Sequence, residues 1–395
     1  MKRPFCKSGA LLLLFSIVLL FSSCAQEQPI IDAPGKPTNG TGVATLCAVG
    51  DIYLTEAMLT DAQQTNGSYD FSAQLSGVIN TISSADIAIG NFEGNFSGEP
   101  YADGSHPDAF AAALGSAGFD ILQTANSYSI HNGIAGLRRT KSTIEAEHIT
   151  PLGTYASAQE RNQYPIVLRE INGVRFAFIA FTKGLNSMSL PAGAEYCVNL
   201  LYTDYNSDYS EIDTEGITAL IAEAQLMAPD VIVAAVHWGS ENISEVSRSQ
   251  EEIAQLMFYH GVDVILGSHS HRVGSVERRT ITSFDGREKE VVLAYSLGDF
   301  CCGVEKDVSP SIILNLEFTR DHEKGITHIT DLHYVPIATV DRGQALSNRF
   351  AVINIDTALD LYEKNYYDRI DEDLYEEFLE IKEDLSQRTN PVEEE

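Results

Sequence analysis

The stretch from residue 231 to residue 277 constrains the chain most. Residues 231–236, Val-Ile-Val-Ala-Ala-Val, are a short apolar run rich in β-branched side chains, which predicts a buried strand. The run delivers His237-Trp238-Gly239. Residues 249–260 carry Ile253, Leu256, Met257 and Tyr259 at helical spacing. Residues 262–266 form a second apolar run closed by Gly267, and His269 and His271 follow one residue apart. Strand, helix, strand is a βαβ unit, so both strands run parallel and their C-terminal ends share one sheet edge. Open α/β sheets bind ligands at that edge. Any one of these histidines alone reads most simply as a solvated loop residue. Three at strand ends, two of them in His-x-His, favour a metal or phosphate site, because imidazole is the commonest metal ligand near neutral pH.

Two carboxylates reach the same kind of position. Residues 43–49 predict a strand ended by Gly50-Asp51, and residues 86–89 predict another that leads into Gly90-Asn91-Phe92-Glu93-Gly94. Asp51 has an alternative reading as the cap of a helix over 55–61. Glu93 is followed by a glycine, where backbone can approach a ligand closely. A strand over 119–124 leads to Ala125-Asn126-Ser127-Tyr128. Helices are expected over 69–83, 107–117, 133–148 and 213–227. A hairpin over 166–170 and 175–181 turns at Asn172-Gly173. Residues 185–210 are irregular, as in a surface insertion or a lid. Strands over 273–282, 290–295, 311–319 and 326–337 follow. From residue 356 the tail is acidic, with Leu361, Tyr362, Leu374, Phe378 and Ile381 at helical spacings.

The start of the chain reads as an address. Met1 to Lys7 is basic, residues 10–21 are apolar, and Ser22-Ser23-Cys24 closes the segment, as in a secretory signal. Cysteine after two small residues resembles the lipobox of bacterial lipoproteins, with Phe21 where Leu is usual. The resemblance makes Cys24 the lipid-bearing residue and residues 25–42 a flexible tether. The expected location is extracytoplasmic, on the bacterial cell membrane through a lipid anchor. The formal charge of −30 argues against nucleic acid as a partner. None of the six cysteines forms Cys-x-x-Cys, so they read as small buried side chains, with one disulfide left open.

Taken in order, AVGDIYL, IGNFEGNFSG, PDAFAAALGSAGFDILQTANS, HNGIAGLRRT, PLGTYASAQE, VHWGSE, GVDVILGSHSHRVGSVE and AYSLGDF resemble the CapA family of poly-γ-glutamate capsule-synthesis proteins. The resemblance implies a calcineurin-like metallophosphoesterase fold: an α/β four-layer αββα sandwich with two mixed sheets over 43–340. To this the sequence adds an acidic helical extension over 341–388 and a disordered tail over 389–395. It implies Asp51, Glu93, His237, His269 and His271 as metal ligands, with Glu93 bridging. Mixed imidazole and carboxylate ligands suit one or two Mn²⁺, Zn²⁺ or Fe²⁺ ions. The implied partners are an anionic polymer or envelope substrate and a capsule-synthesis membrane complex. Where the family shows Ala-Asn-Asn-His and then an Asp, this chain has Ala125-Asn126-Ser127-Tyr128 and then His131. Tyr128 and His131 are therefore the catalytic candidates, although a phenol of ordinary pKa about 10 is a weak acid–base group at neutral pH. Asn91, Asn126, Arg138 and Arg272 are candidates for holding substrate, the arginines having an alternative reading as ordinary surface charges. Whether the chain is an enzyme stays open. The leading expectation is a surface-anchored CapA-like factor in synthesis, export or anchoring of the polymer, with reduced or altered metal chemistry. The alternatives are a non-catalytic binder on the same fold and a working phosphodiesterase or phosphatase.

Overall fold

The computed structural model describes residues 40–98, 104–302, 308–343, 348–366 and 370–389. The expected signal segment with Cys24, the expected tether up to residue 39 and the tail from residue 390 lie outside the described residues. The strands are β1 Thr41–Ile52, β2 Ile87–Phe92, β3 Ile121–Gln123, β4 Thr150–Leu152, β5 Val167–Ile171, β6 Val174–Thr182 and β7 Val231–His237. Then come β8 Val264–Ser268, β9 Val276–Thr282, β10 Glu288–Ala294, β11 Asp299–Cys301, β12 Val308–Asp321, β13 Ile326–Asp341 and β14 Phe350–Asn354. The helices are α1 Glu56–Ala62, α2 Ser72–Leu75, α3 Ile79–Ser83, α4 Asp108–Ala117 and α5 Gly133–Ala146. They continue with α6 Ala158–Gln163, α7 Thr214–Leu226, α8 Arg248–Tyr259, α9 Ile355–Glu363 and α10 Glu372–Thr389.

Two mixed sheets form. The first has the order β14-β13-β12-β1-β2-β3-β4, with β11 pairing to the end of β1. Its β1 to β4 half is parallel and its β12 to β14 half antiparallel. The second has the order β5-β6-β7-β8-β10-β9, parallel in the centre with antiparallel edges. Side-chain alternation sets the layers. Ala44, Leu46 and Ala48 of β1 meet Phe176, Phe178 and Val233 between the sheets. Cys47 and Val49 face the other way, against Met58, Phe110 and Leu114 of the helices. Ile232, Ala234 and Val236 of β7 pack on Ile217, Ile221, Ile253 and Met257 of α7 and α8. The result is the four-layer αββα sandwich expected. Strands covered on both faces have no polar side to show, which is why they read as unbroken apolar runs. The four described cysteines, Cys47, Cys197, Cys301 and Cys302, are free and buried.

The structure departs from the sequence reading in several places. Residues 69–83 form α2 and α3 rather than one helix. Between them Gly77 lies against β14, where a Cβ would stand 2.4 Å from the Val352 carbonyl oxygen. β14 itself lies within the segment expected to be purely helical and extends the first sheet. Thr389 ends α10 and is buried rather than belonging to a disordered tail. β1 does not stop at Gly50 but runs on through Asp51. Thr55, not Asp51, caps α1, its hydroxyl accepting from the Met58 N–H. Asp51 is thereby left for the strand-end site.

Candidate metal centre

Parallel strands of both sheets end at one place. β1 brings Asp51, β2 brings Asn91 and the following Glu93, and β3 leads to Asn126 and Ser127. From the second sheet, β7 brings His237, and β8 leads to His269 and His271. The contact between Gly50-Asp51 and Gly298-Asp299 locks this arrangement. The Asp51 N–H donates to the Gly298 carbonyl at 2.8 Å, and Asp51 pairs with Asp299 in register. A Cβ on Gly50 would lie 1.9 Å from that carbonyl oxygen, so only glycine allows the approach. A backbone-to-side-chain bond also crosses between the sheets: the His269 N–H donates to Asp51 Oδ2 at 3.1 Å.

The side chains gather into two adjacent triads, Glu93 with His237 and His269, and Asp51 with His271 and Asp299. Within each, the candidate ligand atoms lie within 4.8 Å of one another. Glu93 Oε1 is 3.4 Å from His237 Nε2. His271 Nδ1 is 2.8 Å from Asp299 Oδ1 and 3.6 Å from Asp51 Oδ2. Asn91 links the triads, donating from Nδ2 to Asp51 Oδ1 at 2.6 Å and lying 3.3 Å from His237 Nδ1. The Asn126 amide donates to Asn91 Oδ1 at 3.1 Å and to the Phe92 carbonyl at 2.6 Å. Ser127 Oγ is 3.0 Å from His237 Nε2, and Ser268 Oγ is 3.1 Å from His237 Nδ1. His269 and His271 both hold left-handed backbone, φ 93° and 57°. Such conformations cost free energy in a side-chain-bearing residue and persist where the surroundings impose them.

The electrostatics fit a cation. Burial, and then the neighbouring Asp51 charge, pushes the Glu93 carboxyl well above its ordinary range. Burial pushes Asp51 up to about 6. Burial lowers His237, and with the Lys183 charge lowers His269 to about 3, which favours neutral imidazoles, each with one ring nitrogen able to act as a ligand. His271 is the exception. Burial alone would lower it, but its bond to Asp299 and the Asp51 charge carry it up to about 10, and its proton is the local counter-charge. Glu93 Oε2 and His269 Nδ1 are buried with no hydrogen-bond partner. Buried polar atoms left unpaired are costly, and here two of them lie in one triad whose donors match an imidazole–carboxylate metal site. The residues present therefore fit a divalent metal.

Asp51, Glu93, His237, His269 and His271, expected as ligands, are divided between the two adjacent triads. Asp299 was missed, although it repeats the Gly-Asp pair of residues 50 and 51. Other expected site residues are placed differently. Asn91 and Asn126 are buried and spend their amides on positioning, not on a ligand. Arg138 donates to the Ala156 carbonyl, and Arg272 is solvent-exposed. Tyr128 and His131 pack with their rings tilted at 50° and centroids 5.2 Å apart, and neither enters a triad. A cavity of about 300 Å³ opens beside the Glu93 triad, lined by Ser127, Lys183, Ser187, Tyr209, Glu241 and His269. Part of the irregular 185–210 segment thus forms a wall of the site.

Fold and site together define a class: two-sheet α/β proteins that gather imidazoles and carboxylates where parallel strands of both sheets end. Residues 45–304 match the family described as Bacterial capsule synthesis protein PGA_cap, and the chain belongs to that family. It is 27% identical over 301 residues to the capsule biosynthesis protein CapA of Bacillus anthracis, covering 73% of this chain and 66% of that one. It is 26% identical over 186 residues to the PGA biosynthesis protein CapA of Bacillus subtilis strain 168, covering 46% and 42%. The match thus spans less than two thirds of either relative's length. Among solved structures, the calcineurin-like phosphoesterase YfkN of Bacillus subtilis aligns with TM-score 0.42 and 14% identity, covering 75% of this chain and 90% of that one.

Proposed function

We propose that this protein acts at the bacterial surface in the synthesis, export or anchoring of an anionic capsule polymer of poly-γ-glutamate type, through a divalent-metal centre of reduced or altered chemistry. The carrying observation is the pair of triads within a chain of the capsule synthesis family. Glu93, His237 and His269 would hold one ion, and Asp51, His271 and Asp299 a second. Mn²⁺, Zn²⁺ and Fe²⁺ suit such donors. A bound ion would supply Lewis-acid polarisation of a substrate oxygen and a lowered pKa for a bound water.

The chain's own residues do the rest. Asn91 and Asn126 fix the Asp51 carboxylate and the His237 ring between the triads. Ser127 Oγ lies 3.0 Å from His237 Nε2, the nitrogen that faces Glu93 and would ligate an ion. A phenol rather than an imidazole occupies position 128, and its ring packs at a tilt against His131. That placement favours a second reading, a non-catalytic polymer-binding protein on the same metal centre. The lipid anchor at Cys24 and a membrane assembly as partner belong to the proposal on the strength of the N-terminal sequence.

The test replaces the chromosomal copy with Asp51→Asn, with His269→Ala and with a deletion, and measures surface polymer chemically. Loss of polymer in the deletion and in both variants, at unchanged protein level, is the expected result. Full polymer in the deletion overturns the capsule reading. Full polymer in both variants overturns the role of the centre.

A further inference from the structure

Among the described residues, Lys183 is the one ammonium lining the cavity beside the Glu93 triad. It follows β6 directly, and its backbone N–H donates to the His237 carbonyl at 2.8 Å, so its main chain is fixed to the strand that carries a candidate ligand. One donor of its ammonium goes to the Gly239 carbonyl at 2.5 Å. The ammonium lies 4.6 Å from the centre of the Tyr209 ring, a cation–π contact that holds the charge without neutralising it. Tyr209 adopts left-handed backbone, φ 52°, an uncommon conformation for a large side chain. Its hydroxyl would stand 2.7 Å from a Cβ on Gly184, the residue next to the lysine. Ser127, Asn186, Ser187 and Ser240 line the same space with polar groups. Glu241 shares the lining; it is solvent-exposed, and its charge partly offsets the effect of burial on the Lys183 ammonium.

A fixed ammonium beside a cation site is unfavourable by itself, because like charges repel. The arrangement becomes favourable when an anion lies between the two positive charges. We propose that this cavity is an oxyanion subsite in which Lys183, held by Tyr209 and Gly239, binds a carboxylate or phosphate group of the ligand. A volume of about 300 Å³ is at the small end of ligand pockets, so it takes an end group or a single unit rather than a run of polymer. The lysine acts as a point charge, so its removal affects anion affinity more than metal affinity. The inference rests on the proposed function for the metal centre and names the chemical group that the same site receives.

The test uses the full chain in detergent, loaded with Mn²⁺, and measures calorimetric binding of inorganic phosphate and of a γ-linked glutamate tetramer. Lys183→Met, Lys183→Arg and Tyr209→Leu are compared, with Mn²⁺ content and thermal midpoint followed for each. The subsite predicts binding of at least one probe, weakened tenfold or more by Lys183→Met at unchanged Mn²⁺ content, and weakened less by Lys183→Arg. A preference for the glutamate tetramer assigns the carboxylate source, and a preference for phosphate assigns the other while removing support for poly-γ-glutamate. If the wild type binds neither probe, or Lys183→Met binds both as tightly as wild type, the subsite is overturned. The capsule reading then stands or falls on the polymer measurement alone.

Discussion

Single residues decide what chemistry this centre retains. The Ser127 hydroxyl contacts His237 Nε2, and Tyr128 turns its ring onto His131. A positioned acid is typically worth about 10²–10⁴ in rate. The wild type should therefore hydrolyse bis-p-nitrophenyl phosphate slowly with Mn²⁺. Ser127→Asn combined with Tyr128→His should raise the rate by about tenfold or more. High wild-type activity, unchanged in the double variant, contradicts this account of the departure. The candidate ligands are largely legible in the sequence, because Asp51, Glu93, His237, His269 and His271 each follow or end an apolar run. Asp299 was not, since its strand is only three residues long and starts at the aspartate itself. Nor was Lys183, whose role depends on a tyrosine 26 positions further on and on no local pattern. Arg138 and Arg272 stand outside both triads, Arg138 bonded to the Ala156 carbonyl and Arg272 open to solvent, because nearness in sequence to the site motifs does not set where a long side chain points.

At the scale of elements, the site depends on how closely β1 and the loop before β11 approach. Gly50→Ala would drive a methyl into the Gly298 carbonyl. Overpacking of buried structure costs about 1–3 kcal/mol, and the loss here belongs at the upper end or beyond, since the clash is with backbone that cannot rotate away. Urea unfolding should show that loss together with reduced Mn²⁺ binding, as Asp51 and Asp299 move apart. The central βαβ unit has its own check. Ser247 and Gln250 form a capping box at the start of α8, with the Gln250 N–H donating to the Ser247 hydroxyl and the Ser247 N–H to Gln250 Oε1. Ser247→Ala should cost about 1 kcal/mol in the same assay without changing metal content. That unit was readable because its strands are buried on both faces and its helix has one apolar stripe. β4 and β14 were not, being short outer strands that hydrogen-bond a partner on one side only. Their pairing is set by neighbours distant in sequence, which local composition does not record.

For the whole molecule, two sheets meet so that carboxylates and imidazoles from both surround one place, and protons compete with metal there. Asp51, held up at about 6, and His271, held up at about 10, both bind protons more tightly than their ordinary values. A raised value means a proton retained to higher pH, so metal uptake must release it and metal affinity should rise with pH. Thermal stabilisation by Mn²⁺ should accordingly be larger at pH 8 than at pH 5.5, and the reverse order would contradict these shifts. Glu93, His237 and His269, and beside them Asp51, His271 and Asp299, are the groups proposed to hold divalent metal. The most direct test of that assignment is equilibrium Mn²⁺ and Zn²⁺ binding to the full chain, read as bound metal per chain by elemental analysis for wild type, His269→Ala and Asp299→Asn. The account predicts one to two ions in the wild type and a loss in each variant. A wild type that binds none, or binding that survives both substitutions undiminished, would contradict it.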